Sequence, residues 1–268
     1  MARHTHLMAR GLFELGHVVH VIAHGRRPQT AFTDGAFVHR VPPAAHRYEG
    51  LRGTPTLHPW LCHSHAAHER VRELQRSDGI QLLDSPLWHL DGLVASTARS
   101  LPLVVRIQTA YTQITAIQKG RDPDRTAVGQ LERELLMRAD HLVANTRATL
   151  DGARSLYRLG ADAPPASVIA HGIEPVDDGL TRPFDPDAHR AERTVLYVGR
   201  LERRKGILEL FDAIPEVLRR APGTRFVLAG ADNSENDGFA RRTGRRYDEF
   251  FEERHPEAAR AVERPRIH

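Results

Sequence analysis

Tyr197-Val198-Gly199-Arg200-Leu201-Glu202-Arg203-Arg204-Lys205-Gly206 joins an apolar run to an amphipathic one through a basic turn. Upstream, Thr194 to Val198 is β-branched and aromatic, and reads as a short buried strand ending at Gly199. Downstream, Ile207, Leu210, Phe211, Ile214, Val217 and Leu218 recur at helical spacing up to Arg220. That helix is expected to begin at Lys205 or Gly206, with Pro215 kinking it or ending it early. A strand, tight turn and helix in this order direct backbone N–H groups and a positive helix end toward the carboxyl edge of a sheet. Open α/β sheets bind their ligands at that edge. Arg200 and Lys205 place two full positive charges there, one a planar fork and one a point charge, a pairing suited to a diphosphate. The competing reading is a solvated basic turn whose arginine pairs with Glu202.

The same alternation extends toward the N-terminus. His4 to Leu15 reads as a helix with Leu7, Met8, Leu12 and Leu15 on one face, closed by Gly16. Val18 to Ala23 and Ala36 to Val41 read as strands, the second stopped by Pro42-Pro43. A helix follows over Pro59 to Arg76, a strand over Ile80 to Asp84, a helix over Leu87 to Ser100 and a strand over Leu103 to Ile107. Gln108 to Arg125 reads as a polar loop, with Tyr111, Lys119 and Arg121 placed to shape a substrate site. Helices over Thr126 to Ala139 and Thr146 to Tyr157 bracket a strand at His141 to Ala144, and Ser167 to Ala170 is the next strand. Helices of this length between strands imply right-handed crossovers and parallel sheets covered on both faces. Glu174 to Arg193 is rich in Pro, Gly and Asp without periodicity and reads as a linker. Past it, Arg225 to Ala229 is the second clear strand of a second α/β pattern, and Asp232 to His268 is charged and weakly periodic.

The composition of the 268 residues, 40% apolar and 27% charged, suits packed domains and argues against wholesale disorder. A single cysteine, Cys62, rules out a disulfide framework and fits a reducing, cytoplasmic setting. The net charge of +4 raises nucleic-acid binding as a rival. Against it, aromatics are 6%, and the 38 cations, of which only Lys119 and Lys205 are lysine, are interspersed with 34 acids. Cys62, His63, His65 and His68, with His58 nearby, form a candidate metal cluster, but on a helix His63 points away from His65 and His68, and 17 histidines cluster readily by chance. Asp84 and Asp91 flank Trp88 at a strand end, where helix capping by Asp84 or Ser85 competes with a polar site. Glu132 and Glu134 cannot share a helical face and are expected to pair with arginines such as Arg133 or Arg138.

Val195 to Leu201 through Lys205-Gly206, followed by Phe226-Val227-Leu228-Ala229-Gly230, resembles the donor-binding half of the retaining GT-B glycosyltransferases of family 4. His4 to Leu7 through Leu15 to Ile22 is similar to that family's first helix and second strand. Ala139 to Thr146 and Val168 to Glu174 resemble its later N-domain signatures, all in family order. The resemblance implies an α/β, GT-B-like architecture of two Rossmann-like parallel-sheet domains. Residues 1–175 would be the acceptor-side domain lacking its first strand, 176–193 a linker, and 194–268 a partial nucleotide-sugar-binding domain. It further implies a hexosyltransferase that moves a sugar from a nucleotide diphosphate sugar to a hydroxyl with retention. Arg200 and Lys205 would offset charge on the leaving diphosphate, with no metal or other cofactor required. Gly230 would allow close backbone approach to the nucleotide, Gly199 at the end of the strand would belong to the same substrate-binding set, Gly172 would line the cleft near the linker, and Gln108 and His4 would meet substrate.

Measured from Gly16-His17, the family's glycine pair in the first turn falls before Met1, and its two glutamates eight apart fall past His268. Where the family carries Arg-x-His-Thr, this chain has Arg106-Ile107-Gln108-Thr109. Gln108 can hydrogen-bond a sugar hydroxyl but carries no proton through a reaction. Three rivals stand beside the transferase reading: an inactive remnant of such an enzyme, a GT-B-fold nucleotide-sugar isomerase, and a basic nucleic-acid-binding protein. Apart from the donor, the expected partner is a glycan, lipid or small-molecule acceptor and no nucleic acid, with a peripheral membrane contact left open.

Overall fold

In a computed structural model, which describes residues 2–118, 122–174, 179 and 193–264, the chain divides into two compact units, Met1–Glu174 and Pro175–His268. The first begins with helix α1 (Ala2–Glu14), closed by Gly16 in a left-handed conformation. Strand β1 (Val19–His24) pairs in parallel with β3 (Ala36–Val41), and β2 (Gln29–Thr33) pairs antiparallel to β3. The sequence reading missed β2, so this three-stranded sheet, ordered β1-β3-β2, is mixed rather than parallel. The two-residue turn at Asp34-Gly35, both at positive φ, supplies the reversal. Only part of the expected apolar face of α1 is covered. Ala9 is buried, whereas Leu12 and Leu15 are exposed. Nor is β1 a buried strand, because Val18 lies exposed before it and its residues are half-buried.

The second sheet of this unit is fully parallel, in the order β4-β5-β6-β7. Its strands are β4 (Leu83–Pro86), β5 (Leu103–Ile107), β6 (His141–Ala144) and β7 (Ala166–Val168). Around it run α2 (Leu57–Ser77), α3 (Leu93–Ala98), α4 (Tyr111–Gln118), α5 (Arg125–Arg138) and α6 (Arg147–Tyr157). Their contact faces share one core containing Leu87, Val105, Ile107, Leu135, Leu136, Leu142 and Leu150. Each such side chain contributes roughly 1.5–3 kcal/mol of burial energy. Thr146 caps α6, accepting from the Thr149 N–H at 3.0 Å.

Further expectations change in this unit, and β7 (Ala166–Val168) starts one residue earlier and ends two earlier than read. β4 starts three residues later than read, since Leu82 is exposed and outside the ladder. The helix expected over Leu87 to Ser100 is a 3-10 turn at Trp88–Leu90 followed by the short α3, because His89 (φ 65°) and Leu90 (φ 58°) are left-handed and break the helix. The expected loop after β5 contains α4; Lys119 and Arg121 lie outside the described residues. Among the described residues Glu132 pairs with no arginine. Fully buried, it accepts from Tyr111 N–H (2.7 Å), Thr112 Oγ1 (2.8 Å) and Tyr157 OH (2.6 Å), while Glu134 does pair with Arg138 at 3.4 Å.

The first strand described in the second unit is β8 (Arg193–Val198), which was read as buried but is exposed along most of its length, Leu196 and Val198 included; of the rest of the expected linker only Glu174 and Gly179 lie within the described residues. Strands β8, β9 (Thr224–Ala229) and β10 (Val262–Glu263) form a parallel sheet ordered β10-β9-β8. The third strand was not legible in the sequence, being only two residues long. Helix α7 (Ile207–Arg220) runs through Pro215 without ending early. The segment expected to be weakly periodic forms α8 (Phe239–Thr243), α9 (Tyr247–Arg254) and α10 (Pro256–Ala259). Phe239, Tyr247 and Phe251 from these helices join Ile207, Phe211, Ile214, Phe226 and Leu228 in the unit's core. No helix among the described residues is long and apolar enough to cross a membrane.

Candidate functional site

The basic elbow follows β8. Two turns leave the parallel strands side by side: Gly199 N–H donates to Ala229 O, Leu201 N–H to Ala231 O, and Asn233 N–H to Leu201 O, at 2.9–3.0 Å. This approach explains Gly230. A Cβ there would stand 1.8 Å from Gly199 O, so any side chain would drive the two turns apart. Gly199 itself sits at φ 153°, and Tyr197 OH donates to Arg200 O at 2.8 Å, pinning the turn from below.

Residues Arg203–Lys205 then form a 3-10 turn, and Gly206, at φ 74°, leads into α7. The α-helix therefore begins at Ile207, later than expected, and no side chain caps its N-terminus. Its first N–H groups have no intrahelical acceptors and carry the positive end of the helix dipole. Lys205 is exposed and makes no ion pair among the described residues. Arg200 is 56% exposed at its side chain and lies 3.4 Å from Glu202. Glu202 is buried, accepts from Arg204 at 2.6 Å and from Asn233 Nδ2 at 2.9 Å, and so is anchored before it meets Arg200. The rival reading of a pairing between Arg200 and Glu202 is thus realised, yet in a form that holds the guanidinium at the turn while more than half of the side chain stays exposed. The sequence showed neither Asn233 nor Tyr197 in these supporting roles: Asn233 reaches Glu202 from the turn after the neighbouring strand, and the Tyr197 hydroxyl folds back onto a carbonyl three residues on.

In the first unit, polar groups gather at the carboxyl edge of the parallel sheet. Arg106 binds Asp84 through Nε at 2.8 and 2.7 Å and through a terminal nitrogen at 2.7 Å, so Asp84 is an ion-pair partner and not a helix cap. Asn145, just past β6, approaches His171 Nε2 at 3.3 Å through its amide nitrogen, and its Oδ1 is buried with no partner. His4 packs against the His171 ring at 4.2 Å between centroids. Burial, then His171 and Arg106, hold its pKa below the ordinary value. Gln108 is half-buried just beyond β5, and Gly172 is exposed with open space where a Cβ would be. The elements thus bring His4, His171, Asn145, Arg106 and Asp84 together, while Gly199, Arg200, Lys205 and Gly230 form a separate group in the second unit.

Beside this edge, Trp60, Trp88 and Tyr111 pack with ring centroids 4.9–5.9 Å apart. The candidate cysteine–histidine cluster, disfavoured on sequence, does not converge. Cys62 Sγ contacts His58 Nε2 at 3.6 Å, and His65 instead pairs with Glu69 at 3.3 Å. His63 turns the other way, stacking on His24 at 3.3 Å between centroids. Burial holds the His63 and His89 imidazoles down to about 4 and pushes the Asp91 carboxyl up to about 7.

Residues 1–172 match the family model described as "Glycosyl transferase 4-like domain". The D-inositol 3-phosphate glycosyltransferase of Rhodococcus erythropolis is 31% identical over 212 residues, covering 74% of this chain and 46% of that protein. The glycogen synthase of Mycobacterium tuberculosis is 27% identical over 256 residues, covering 88% of this chain and 59% of that protein. Among solved structures, the sucrose-phosphate synthase of Thermosynechococcus elongatus superposes with a TM-score of 0.66 at 20% identity, over 97% of this chain and 63% of that one. The chain spans about half the length of the curated relatives it matches.

Proposed function

We propose a sugar-transfer function from the premise that this chain belongs to the glycosyl transferase 4-like family and has a GT-B-type α/β fold. In this reading the protein moves a hexose from a nucleotide diphosphate sugar to a hydroxyl of a polyhydroxy acceptor, with retention of anomeric configuration. The observation that carries it is the cationic elbow: an arginine side chain 56% exposed, an exposed lysine with no ion pair among the described residues, and a helix start that no side chain caps, at the carboxyl end of β8. These are the groups that stabilise a diphosphate as it gains charge on leaving. Stabilisation that grows in the transition state lowers the barrier rather than merely tightening binding. Glu202 and Tyr197 hold Arg200 at the turn through its side chain and its carbonyl, which favours a preorganised elbow.

The edge containing Asp84, Arg106, Gln108, Asn145 and His171 is assigned to the acceptor. Its donors and acceptors are mixed, as hydroxyl recognition needs. Gln108 stands where the family carries a histidine. It orients a substrate hydroxyl here and leaves proton movement to the reacting groups. Incubating the 268-residue chain with UDP-, GDP- and ADP-glucose, with and without sugar, sugar-phosphate and inositol-phosphate acceptors, tests the reading. Release of nucleoside diphosphate with a new glycoside detected by mass spectrometry supports it. Nucleotide binding without transfer or donor hydrolysis would assign the chain a donor-binding role alone.

A further inference from the structure

We propose that His24, His63 and Asp91 form a binding site for one divalent transition-metal ion of the zinc class. The three residues come from elements far apart in sequence. His24 ends β1, His63 lies in α2, and Asp91 lies in the turn between β4 and α3. One candidate ligand atom from each lies within 4.8 Å of the others. Asp91 Oδ1 is buried with no hydrogen-bond partner, and it stands 3.8 Å from His63 Nε2. That gap is too long for a hydrogen bond. It is close to the separation of two atoms bound to one metal, since bonds of ~2.0–2.2 Å at a tetrahedral angle place ligands roughly 3.4 Å apart. A buried carboxylate oxygen without a proton donor is costly, and a cation removes that cost.

The surroundings hold the site in place. Ser64, next to His63, donates to Asp91 O at 3.1 Å and accepts from Val94 N–H at 3.0 Å, tying α2 to the Asp91 turn. His63 is 2% exposed, so its ring is set by packing. The turn itself is strained, with His89 and Leu90 at φ 65° and 58°. His24 is the exposed member, stacked on His63 at an interplanar angle of 16°; in this proposal its ring turns so that both imidazoles aim at one ion. Two imidazoles and one carboxylate suit zinc-like ions rather than magnesium or calcium, which favour all-oxygen sets. Bound metal would fasten the end of β1 to α2 and to the turn after β4, fixing the strained segment beside Trp60 and Trp88.

The test uses the whole chain, stripped with chelator and titrated with Zn²⁺ and with Co²⁺ as a spectroscopic probe. The expected result is one equivalent bound per chain, visible d–d bands of low-coordinate Co²⁺, and a metal-dependent rise in Tm. Asp91→Asn and His63→Gln should weaken binding by at least about tenfold. His24→Gln, at an exposed position, should do the same while leaving the metal-free circular dichroism and urea midpoint unchanged, which separates ligation from folding. His65→Gln with His68→Gln should leave binding intact. No stoichiometric uptake, or uptake and spectra unchanged in the His24 and Asp91 variants, would overturn the site.

Discussion

Gly230 shows how one residue sets the geometry of the elbow. With Gly199 O only 1.8 Å from where its Cβ would be, Gly230→Ala is expected to separate the β8 and β9 turns. The expected loss is more than about 2 kcal/mol in urea unfolding of the second unit, together with loss of nucleotide binding. Gly172→Ala, where a Cβ meets nothing within 4 Å, is expected to leave stability unchanged. His39 carries a pH prediction. Burial, then Arg70 and His20, hold it down to about 4, and it is neutral in the folded chain. Between pH 4 and the ordinary histidine value of 6.5 the unfolded chain takes up a proton that the folded chain refuses. Its contribution is therefore complete above that window and is lost as the pH falls through it, by up to about 1.4 kcal/mol per pH unit. Urea midpoints from pH 7 to 4.5 should fall less steeply in His39→Gln than in wild type. Equal slopes would contradict the assignment. His63 and His89 titrate with the same sign and Asp91 with the opposite one, so the difference between variant and wild type is the quantity to read.

Among the elements, α5 depends on a single buried carboxylate. Glu132 gathers donors from Tyr111, Thr112 and Tyr157, joining the start of α4 and the end of α6 to the middle of α5. Glu132→Ala is expected to cost about 3 kcal/mol in chemical denaturation, since it leaves several buried donors unpaired. Glu132→Gln, which keeps an acceptor, should cost less. A loss below about 0.5 kcal/mol for the alanine variant would contradict this role. The strands Ala36–Val41 and His141–Ala144 were legible to the residue because each is a short apolar run with clear stops. Strand β2 was not, because Gln29–Thr33 is exposed throughout and has no apolar alternation to mark it. Helix α4 was lost among polar residues, and the break at His89 depends on two left-handed residues that carry no glycine signal.

At the scale of the whole chain, what could be read was the succession of strand, turn and helix. From it followed both α/β units and the position of Arg200 and Lys205 at a strand's carboxyl end. The partners that shape the site were hidden. Glu202 with Asn233, Asp84 with Arg106, and His24 with His63 and Asp91 meet only after strands distant in sequence are laid side by side. The central claim is that the elbow after β8 grips a pyrophosphate, and calorimetric titration with UDP, GDP and ADP tests it most directly. The account predicts saturable binding of at least one of these by the wild-type chain. It also predicts affinity weakened at least about tenfold by Arg200→Ala and by Lys205→Ala, as expected for lost charge-assisted contacts, and unaltered by duplex DNA. Nucleotide binding equally tight in both variants, or displaced by DNA, would contradict it.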